Sequence, residues 1–277
     1  MNVRLTTVLT VALSFFACGL AQASAERSPL AYYSTPVPSS TDPAMLRDLA
    51  VQREVRERFS RGIDALNRSD YTSAIAEFEA VLKHSLHEPQ GSTAHYDLAL
   101  ALAGAGRLDR AAAECQTAIA LDPGFLAAYA NLITIDLRRG DDTGARKAAD
   151  RFVALAPTSA RALYARGLTA LRNGDVATAQ SDFNKLLQKN PAYAPVHYDL
   201  ALVALHEGRF DVAEQELHTA LASAPDYPRA RFALGIVLLR EGRKAEARVA
   251  FEQVVREASD PNLRNMAASM RDSLGTQ

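Results

Sequence analysis

Small and apolar residues recur along this chain with a period of 34 residues. Steps of 34 from Ala111 reach alanine at Ala145, Ala179, Ala213 and Ala247. The same steps from Gly106 reach glycine at Gly140, Gly174, Gly208 and Gly242. Between these points lie alanine-rich runs with helical spacing, and no alternating pattern typical of a strand persists. The pattern predicts an all-α fold built from a repeated unit.

One unit is nearly duplicated: His95–Pro123 returns as His197–Pro225, three periods later, with about half of its positions identical. The glycine is expected to end a first helix, because it takes positive φ without a steric penalty. The alanine lets a second helix approach the first closely, and the proline that follows stops the second helix. Each unit is therefore predicted to be a hairpin of two antiparallel helices.

This combination of period, glycine, alanine and proline resembles the tetratricopeptide repeat family. When each glycine is numbered 15 in its unit, position 8 is small at Gly62, Ala99, Gly167, Ala201 and Gly235. Position 24 is large at Phe78, Phe183, Leu217 and Phe251. Ile133 at position 8, and Cys115 and Ala149 at position 24, depart from the family pattern. The resemblance implies a right-handed α-solenoid of about six helix-turn-helix repeats.

The predicted organisation has a signal peptide over 1–25, a flexible linker over 26–42 and a solenoid domain over 43–277. The repeats are expected at about 55–91, 92–125, 126–159, 160–193, 194–227 and 228–261. The first of them carries a three-residue insertion. Capping helices are expected at both ends, the second over 262–274, because a solenoid exposes core where its ends are uncovered.

The first 25 residues have the layout of a secretory signal. Arg4 precedes an uncharged run from Leu5 to Leu20, which is too short to span a bilayer, and Ala23-Ser24-Ala25 offers small residues for cleavage. The expected localisation is periplasmic or secreted. The alternative is a membrane-anchored lipoprotein, acylated at Cys18.

Cleavage after Ala25 removes Cys18 and leaves Cys115 without a disulfide partner. Cys115 is expected to be a buried apolar thiol. The formal charge of −1 and the ordinary hydrophobic content give no sign of a nucleic-acid-binding protein. No catalytic motif with convincing spacing is found, so we expect no enzyme, no cofactor and no metal site.

The repeats set up a regular surface that favours binding. Position 5 of the first helix is aromatic at Phe59, Tyr96, Tyr164, Tyr198 and Phe232, with Ala130 as a gap. The resemblance implies that this position faces a concave groove, with Leu168 and Leu202 one turn further along. The alternative is that the rings only wedge adjacent first helices together.

Position 13 gives a basic row made of Arg138, Arg172, His206 and Arg240. Beside apolar groove positions, such a row suits an acidic segment of a partner. The alternative is that each cation offsets the macrodipole at the end of its own helix.

The sequence therefore predicts a non-catalytic scaffold that binds a partner protein or peptide in the groove, in a bacterial cell-envelope assembly. Three other roles stay open. One is an accessory subunit of an envelope enzyme complex, such as polysaccharide synthesis or export. The second is a lipid-anchored outer-membrane assembly lipoprotein, and the third is a self-assembling structural array. Neither nucleic acid nor a small-molecule cofactor is expected as a partner. Binding to a membrane is expected only if Cys18 is lipidated.

Overall fold

The computed structural model describes residues 43–84, 86 and 90–275. These residues form thirteen α-helices, and no strand occurs among them. The predicted all-α fold is therefore confirmed for the described residues. The predicted signal peptide and linker lie outside them, as does part of the insertion near residue 87.

The chain divides into two compact units at Arg166. The described helices of the N-terminal unit are α1 (Pro43–Asn67), α2 (Tyr71–Val81), α3 (Gln90–Gly104), α4 (Leu108–Leu121), α5 (Leu126–Arg139), α6 (Asp142–Leu155) and the start of α7 (Ala160–Arg172). The C-terminal unit holds the rest of α7, α8 (Val176–Lys189), α9 (Ala194–His206), α10 (Phe210–Ser223), α11 (Pro228–Arg240), α12 (Lys244–Glu257) and α13 (Pro261–Ser273).

The turn inside each hairpin is closed by one recurring backbone bond. The N–H after the turn donates to the carbonyl five residues earlier, as from Arg107 to Leu102 at 2.8 Å and from Arg209 to Ala204 at 2.8 Å. The residue just before the donor has a left-handed conformation, with φ of 76° at Gly106 and 74° at Gly208. This is a glycine helix stop that satisfies otherwise unpaired carbonyls. In the first hairpin Ser69 takes the same role with a φ of 59°.

The periodic alanine of the second helix lies at the closest approach of the two helices. All six of its copies expose 0% of their surface, at Ala74, Ala111, Ala145, Ala179, Ala213 and Ala247. A larger side chain at any of them would push the helix axes apart. The predicted steric role of this alanine agrees with its complete burial.

Positions 8 and 24 share a second volume between the two helices. A Cβ atom added to the position-8 glycine would lie 2.7 Å from the Phe78 ring at Gly62, 2.4 Å from the Phe183 ring at Gly167 and 2.6 Å from the Phe251 ring at Gly235. Those distances are shorter than van der Waals contact. Phenylalanine at position 24 therefore requires glycine at position 8 in these three hairpins.

The other hairpins divide the same volume differently. Ala201 accompanies Leu217, Ala99 accompanies Cys115, and Ile133 accompanies Ala149. All six side chains are buried, with at most 1% of their surface exposed. The departures from the family pattern thus compensate one another, because a larger residue at position 8 accompanies a smaller one at position 24.

The last helix, α13, packs its apolar side on the C-terminal unit. Leu263 and Ala267 are buried in its core, and Met266, Met270 and Leu274 lie partly buried against that core. Asp260 caps the helix, since its carboxylate accepts from the Asn262 N–H at 2.9 Å. This element lies where the sequence places a capping helix.

We predict that Gly235→Ala lowers the free energy of unfolding by about 1–2 kcal/mol, because the clash with Phe251 outweighs the helix propensity that alanine adds. Adding Phe251→Leu to this variant should recover most of that loss, since the pair then matches Ala201 and Leu217. Urea unfolding of the two single variants and the double variant gives the coupling between the sites. Additive effects would show that the two positions do not share a volume.

Candidate partner-binding surface

The aromatic residues at position 5 are mostly buried. Phe59 exposes 1% of its surface, Tyr96 2%, Tyr198 3% and Phe232 7%. Tyr164 is half-buried. The two leucines one turn further along, Leu168 and Leu202, are buried as well.

Other rings of the same unit pack against these aromatics. The Tyr96 ring lies 5.0 Å from that of Phe125, and the Tyr198 ring lies 5.3 Å from that of Tyr227. Phe125 and Tyr227 come just before the first helix of the following repeat. Tyr96 and Phe125 thus fill the seam between consecutive hairpins together with Ala118 and Ala128.

At Phe59 and Phe232 the neighbouring ring comes from within the same hairpin. The ring centroids are 5.9 Å apart for Phe59 and Phe78, and 5.4 Å apart for Phe232 and Phe251. The sequence allowed two roles for the aromatic row, and these contacts favour the packing role for its four buried members. The assignment of the row to a partner-binding groove stays a prediction.

The basic row at position 13 is more accessible. Arg138, His206 and Arg240 are exposed, and Arg172 is half-buried. In the N-terminal unit, Nη1 of Arg138 donates to the Ala103 carbonyl, near the end of α3, at 3.2 Å. Arg138 therefore satisfies a carbonyl at the C-terminus of the preceding first helix, whereas the alternative predicted for this row was an interaction with the end of its own helix.

In the C-terminal unit, a basic rim is formed by His206 at the end of α9 and Arg240 at the end of α11, two helices in direct contact. Leu205 and Leu239 precede these cations and lie half-buried against the core. Arg172 holds the corresponding place on α7. The basic rim therefore combines an exposed arginine and an exposed imidazole with accessible apolar surface.

Four buried carboxylates were not foreseen from the sequence. They are Asp97, Asp136, Asp182 and Asp199, each exposing 3% or less of its surface. A sequence signal did exist for two of them, since the pair Tyr-Asp recurs at the same repeat positions in 96–97 and 198–199. Buried acids are rare without a partner, so each one marks a specific local arrangement.

Two of these acids form ion pairs. Asp182 accepts from Nε and Nη2 of Arg166 at 2.7 and 2.8 Å, which is a bidentate pair. Asp136 accepts from Nε of Arg139 at 2.9 Å. The first pair links α7 to α8 and the second lies within α5, and both have the character of structural contacts.

Asp97 and Asp199 instead lie beside buried tyrosines. Burial raises the pKa of Asp97 to about 7. The hydroxyl of Tyr96 is buried and has no hydrogen-bond partner within the described ranges. Burial also raises the pKa of Tyr198 well above its ordinary value; the Asp199 charge raises it further, and that of Arg229 opposes the rise.

The described residues contain no group of three or more potential metal ligands and no helix long and apolar enough to cross a bilayer. Cys115 is fully buried, and this burial raises the pKa of its thiol. Asn131 donates to its Sγ at 3.6 Å. Such a thiol is a packing residue and a poor nucleophile.

We predict that Asp97→Asn stabilises the protein above neutral pH. Because the folded-state pKa of Asp97 is raised above the unfolded value of 3.8, its contribution is fully present below that value and is lost as pH rises through about 7. The variant should be more stable than the native chain by roughly 4 kcal/mol at pH 9, with little difference at pH 4. Urea unfolding across this pH range measures the difference. The exposed Asp64→Asn serves as control, and a pH-independent difference for Asp97→Asn would contradict the prediction.

Family models describe most of the repeats. A model described as tetratricopeptide repeat matches residues 59–124 and 198–262, and a second model of the same description matches residues 170–219. No curated protein sequence matches the chain significantly.

Solved structures with the same fold include a tetratricopeptide repeat protein from Parabacteroides merdae, with a TM-score of 0.69 and 18% identity over 81% of this chain and 94% of that one. A thermophilic protein of this class from Thermus thermophilus has a TM-score of 0.55 and 27% identity over 65% of this chain and 98% of that one. PilF of Pseudomonas aeruginosa has a TM-score of 0.60 and 17% identity over 79% and 99% of the two chains.

The family models thus match more than half of the sequence. These matches agree with the period of 34, the glycine turns, the buried alanines and the paired positions 8 and 24. The chain belongs to the tetratricopeptide repeat family.

Proposed function

We propose that the chain is an exported, non-catalytic scaffold that holds an acidic segment of a partner protein along the basic rim of the C-terminal unit. Tetratricopeptide repeat proteins generally act as scaffolds for protein–protein interaction. The observation that carries the proposal is the exposure of His206 and Arg240 on neighbouring first helices, beside the half-buried Leu205 and Leu239.

Charge and spacing support an extended or helical segment as the ligand. First helices that follow one another in the array present the same position at regular intervals, so a partner with acidic residues at matching intervals meets one cation per repeat. The exposed cations steer such a segment towards the surface, and the leucines supply apolar contact. Charges exposed in this way are screened by salt, so the affinity should fall as ionic strength rises.

The buried aromatic rings have a supporting role in this proposal. Tyr198 and Phe232 belong to the contiguous core of the C-terminal unit, so they hold α9 and α11 in place and thereby position the rim. Removing such rings costs several kcal/mol of stability, and their loss would affect binding through folding. Charge reversal at the rim is therefore the cleaner test.

The proposed place of action is outside the cytoplasm, in an assembly of the bacterial envelope. The sequence of residues 1–25 supports it, through the uncharged run that ends before Ala23-Ser24-Ala25. Export and cleavage together give a mature chain that begins at Glu26. Acylation at Cys18 is the alternative, and it would place the same scaffold at a membrane surface.

We predict that short peptides selected by purified residues 26–277 from a random phage-displayed library are rich in Asp and Glu with leucine or aromatic anchors. Peptide grooves of this kind bind with micromolar affinity, or about −8 kcal/mol. The double variant His206→Glu, Arg240→Glu should weaken the selected peptides at least tenfold. Fluorescence anisotropy at two salt concentrations measures both effects.

The matched control reverses two exposed cations on a second helix, Lys244→Glu with Arg256→Glu on α12. It changes the net charge by a similar amount, away from the rim. Equal affinity of the selected peptides for the rim variant and the native chain would overturn the proposed site. Failure to enrich any peptide would count against the binding function itself.

A further inference from the structure

The first helix of three repeats is tied to the preceding turn by the side chain at position 4. Tyr129 donates its hydroxyl to the Pro123 carbonyl at 3.2 Å, and Nη2 of Arg231 donates to the Pro225 carbonyl at 2.6 Å. At the same position His197 places Nε2 2.7 Å from the Pro191 carbonyl. Three chemically different side chains thus serve one structural purpose, which is to hold the turn between two repeats against the next helix.

His197 differs from the other two because its second nitrogen also faces an acceptor. Nδ1 lies 2.6 Å from Oε2 of Glu216 on α10. Carbonyl and carboxylate oxygens only accept hydrogen bonds, whereas a neutral imidazole carries one N–H and one lone pair. A neutral ring beside an ionised Glu216 therefore leaves one of these short contacts without a proton.

Both hydrogen bonds of the His197 ring form only when the ring and Glu216 together hold one additional proton. That proton gives either an imidazolium between two acceptors or a neutral ring that accepts from a protonated Glu216, and the proton count is the same in both forms. His197 exposes only 8% of its surface, so water offers the ring little replacement. The two contact distances therefore suit a ring and a carboxyl group that share one additional proton.

We infer that His197, Glu216 and the Pro191 carbonyl form a proton-dependent latch, which holds the turn between α8 and α9 when protonated and loosens when the proton leaves. Imidazole is the side chain that changes charge in the neutral range, so the latch responds to pH changes that an envelope protein meets. Tyr129 and Arg231 make the equivalent tie without any change of protonation in that range.

The charged groups on the helices packed against α9 are distributed among other contacts. Besides Glu216 they include Glu214 on α10, Arg229 and Arg231 on α11, and Lys185 and Lys189 on α8. Glu214 pairs with Arg243, Arg231 with Glu257, and Lys185 with Asp182. On the tyrosine side of α9, burial raises the pKa of Tyr198 and Tyr227, the Asp199 charge raises it further, and Arg229 opposes the rise. Within the described contacts, the carboxylate that reaches the His197 ring is that of Glu216.

The sign of the pH dependence follows from proton uptake on folding. A latch that closes only with the shared proton stabilises the fold at mildly acidic pH, and that stabilisation is lost as pH rises through the neutral range. The loss has a structural readout, because an open latch leaves the backbone around residues 190–196 more often exposed to solvent. Glu216 is on the surface side, with 27% of its side chain exposed, so it is free to swing into water when the proton leaves.

The chain itself supplies matched variants. His197→Tyr and His197→Arg copy the pH-independent ties of Tyr129 and Arg231. Glu216→Gln leaves a neutral His197 able to donate to Pro191 and to accept from the new amide. All three variants should therefore keep the latch at alkaline pH. Other titrating groups, Asp97 included, are common to every chain and cancel in the comparison.

The experiment measures urea unfolding and hydrogen exchange of residues 190–196 in the full mature chain at pH 6 and pH 8. In the native chain the folded-to-unfolded ratio should fall about tenfold more between these pH values than in Glu216→Gln. Exchange in the turn, corrected for its intrinsic rate, should rise in the native chain alone. The ¹⁵N resonances of the His197 ring should change between pH 6 and pH 8 as the shared proton leaves. Ring resonances that stay the same over this range, or equal pH dependence in the native chain and Glu216→Gln, overturn the latch. If Glu216→Gln fails to fold, the native chain is compared with His197→Arg instead.

Discussion

The structure depends on how closely the two helices of each hairpin approach. Six alanines set that approach, and they are separated by the repeat period except at the first insertion. The remaining volume is filled by positions 8 and 24 in complementary sizes, with glycine against phenylalanine, alanine against leucine or cysteine, and isoleucine against alanine. A protein interior is packed as densely as an organic crystal, so one side of such a pair cannot grow unless the other shrinks. Because this constraint fixes every hairpin to one geometry, sequence variation is left to the surface and to the seams between repeats.

The fold could be predicted from the residues whose role is steric. The glycines at 106, 140, 174, 208 and 242 all take positive φ, as their spacing predicts. The exposure of the position-5 rings was not predictable in the same way, because it depends on rings at other positions. Phe125 covers Tyr96 and Tyr227 covers Tyr198, and neither covering residue belongs to the family pattern.

Polar groups were harder to place than apolar ones. The pattern of small and large residues says nothing of a carboxylate such as Asp182, whose burial depends on an arginine sixteen positions earlier. Ser69 stands where the other turns have glycine, and the sequence alone does not show that it takes a left-handed conformation. The basic row illustrates a further ambiguity, since Arg138 satisfies a helix-end carbonyl while the cations of the basic rim are exposed to solvent. One repeat position therefore contacts a helix end in one unit and is exposed to solvent in the other.

The most direct test of the shared volume uses the hairpin that departs furthest from the family. Ile133→Gly combined with Ala149→Phe converts its pair into the glycine–phenylalanine pair found in three other hairpins. The free energy of unfolding, measured in urea for both single variants and the double variant, decides the matter. Complementary packing predicts that the double variant is more stable than either single variant by at least about 1 kcal/mol. A double variant whose loss equals the sum of the two single losses would contradict it.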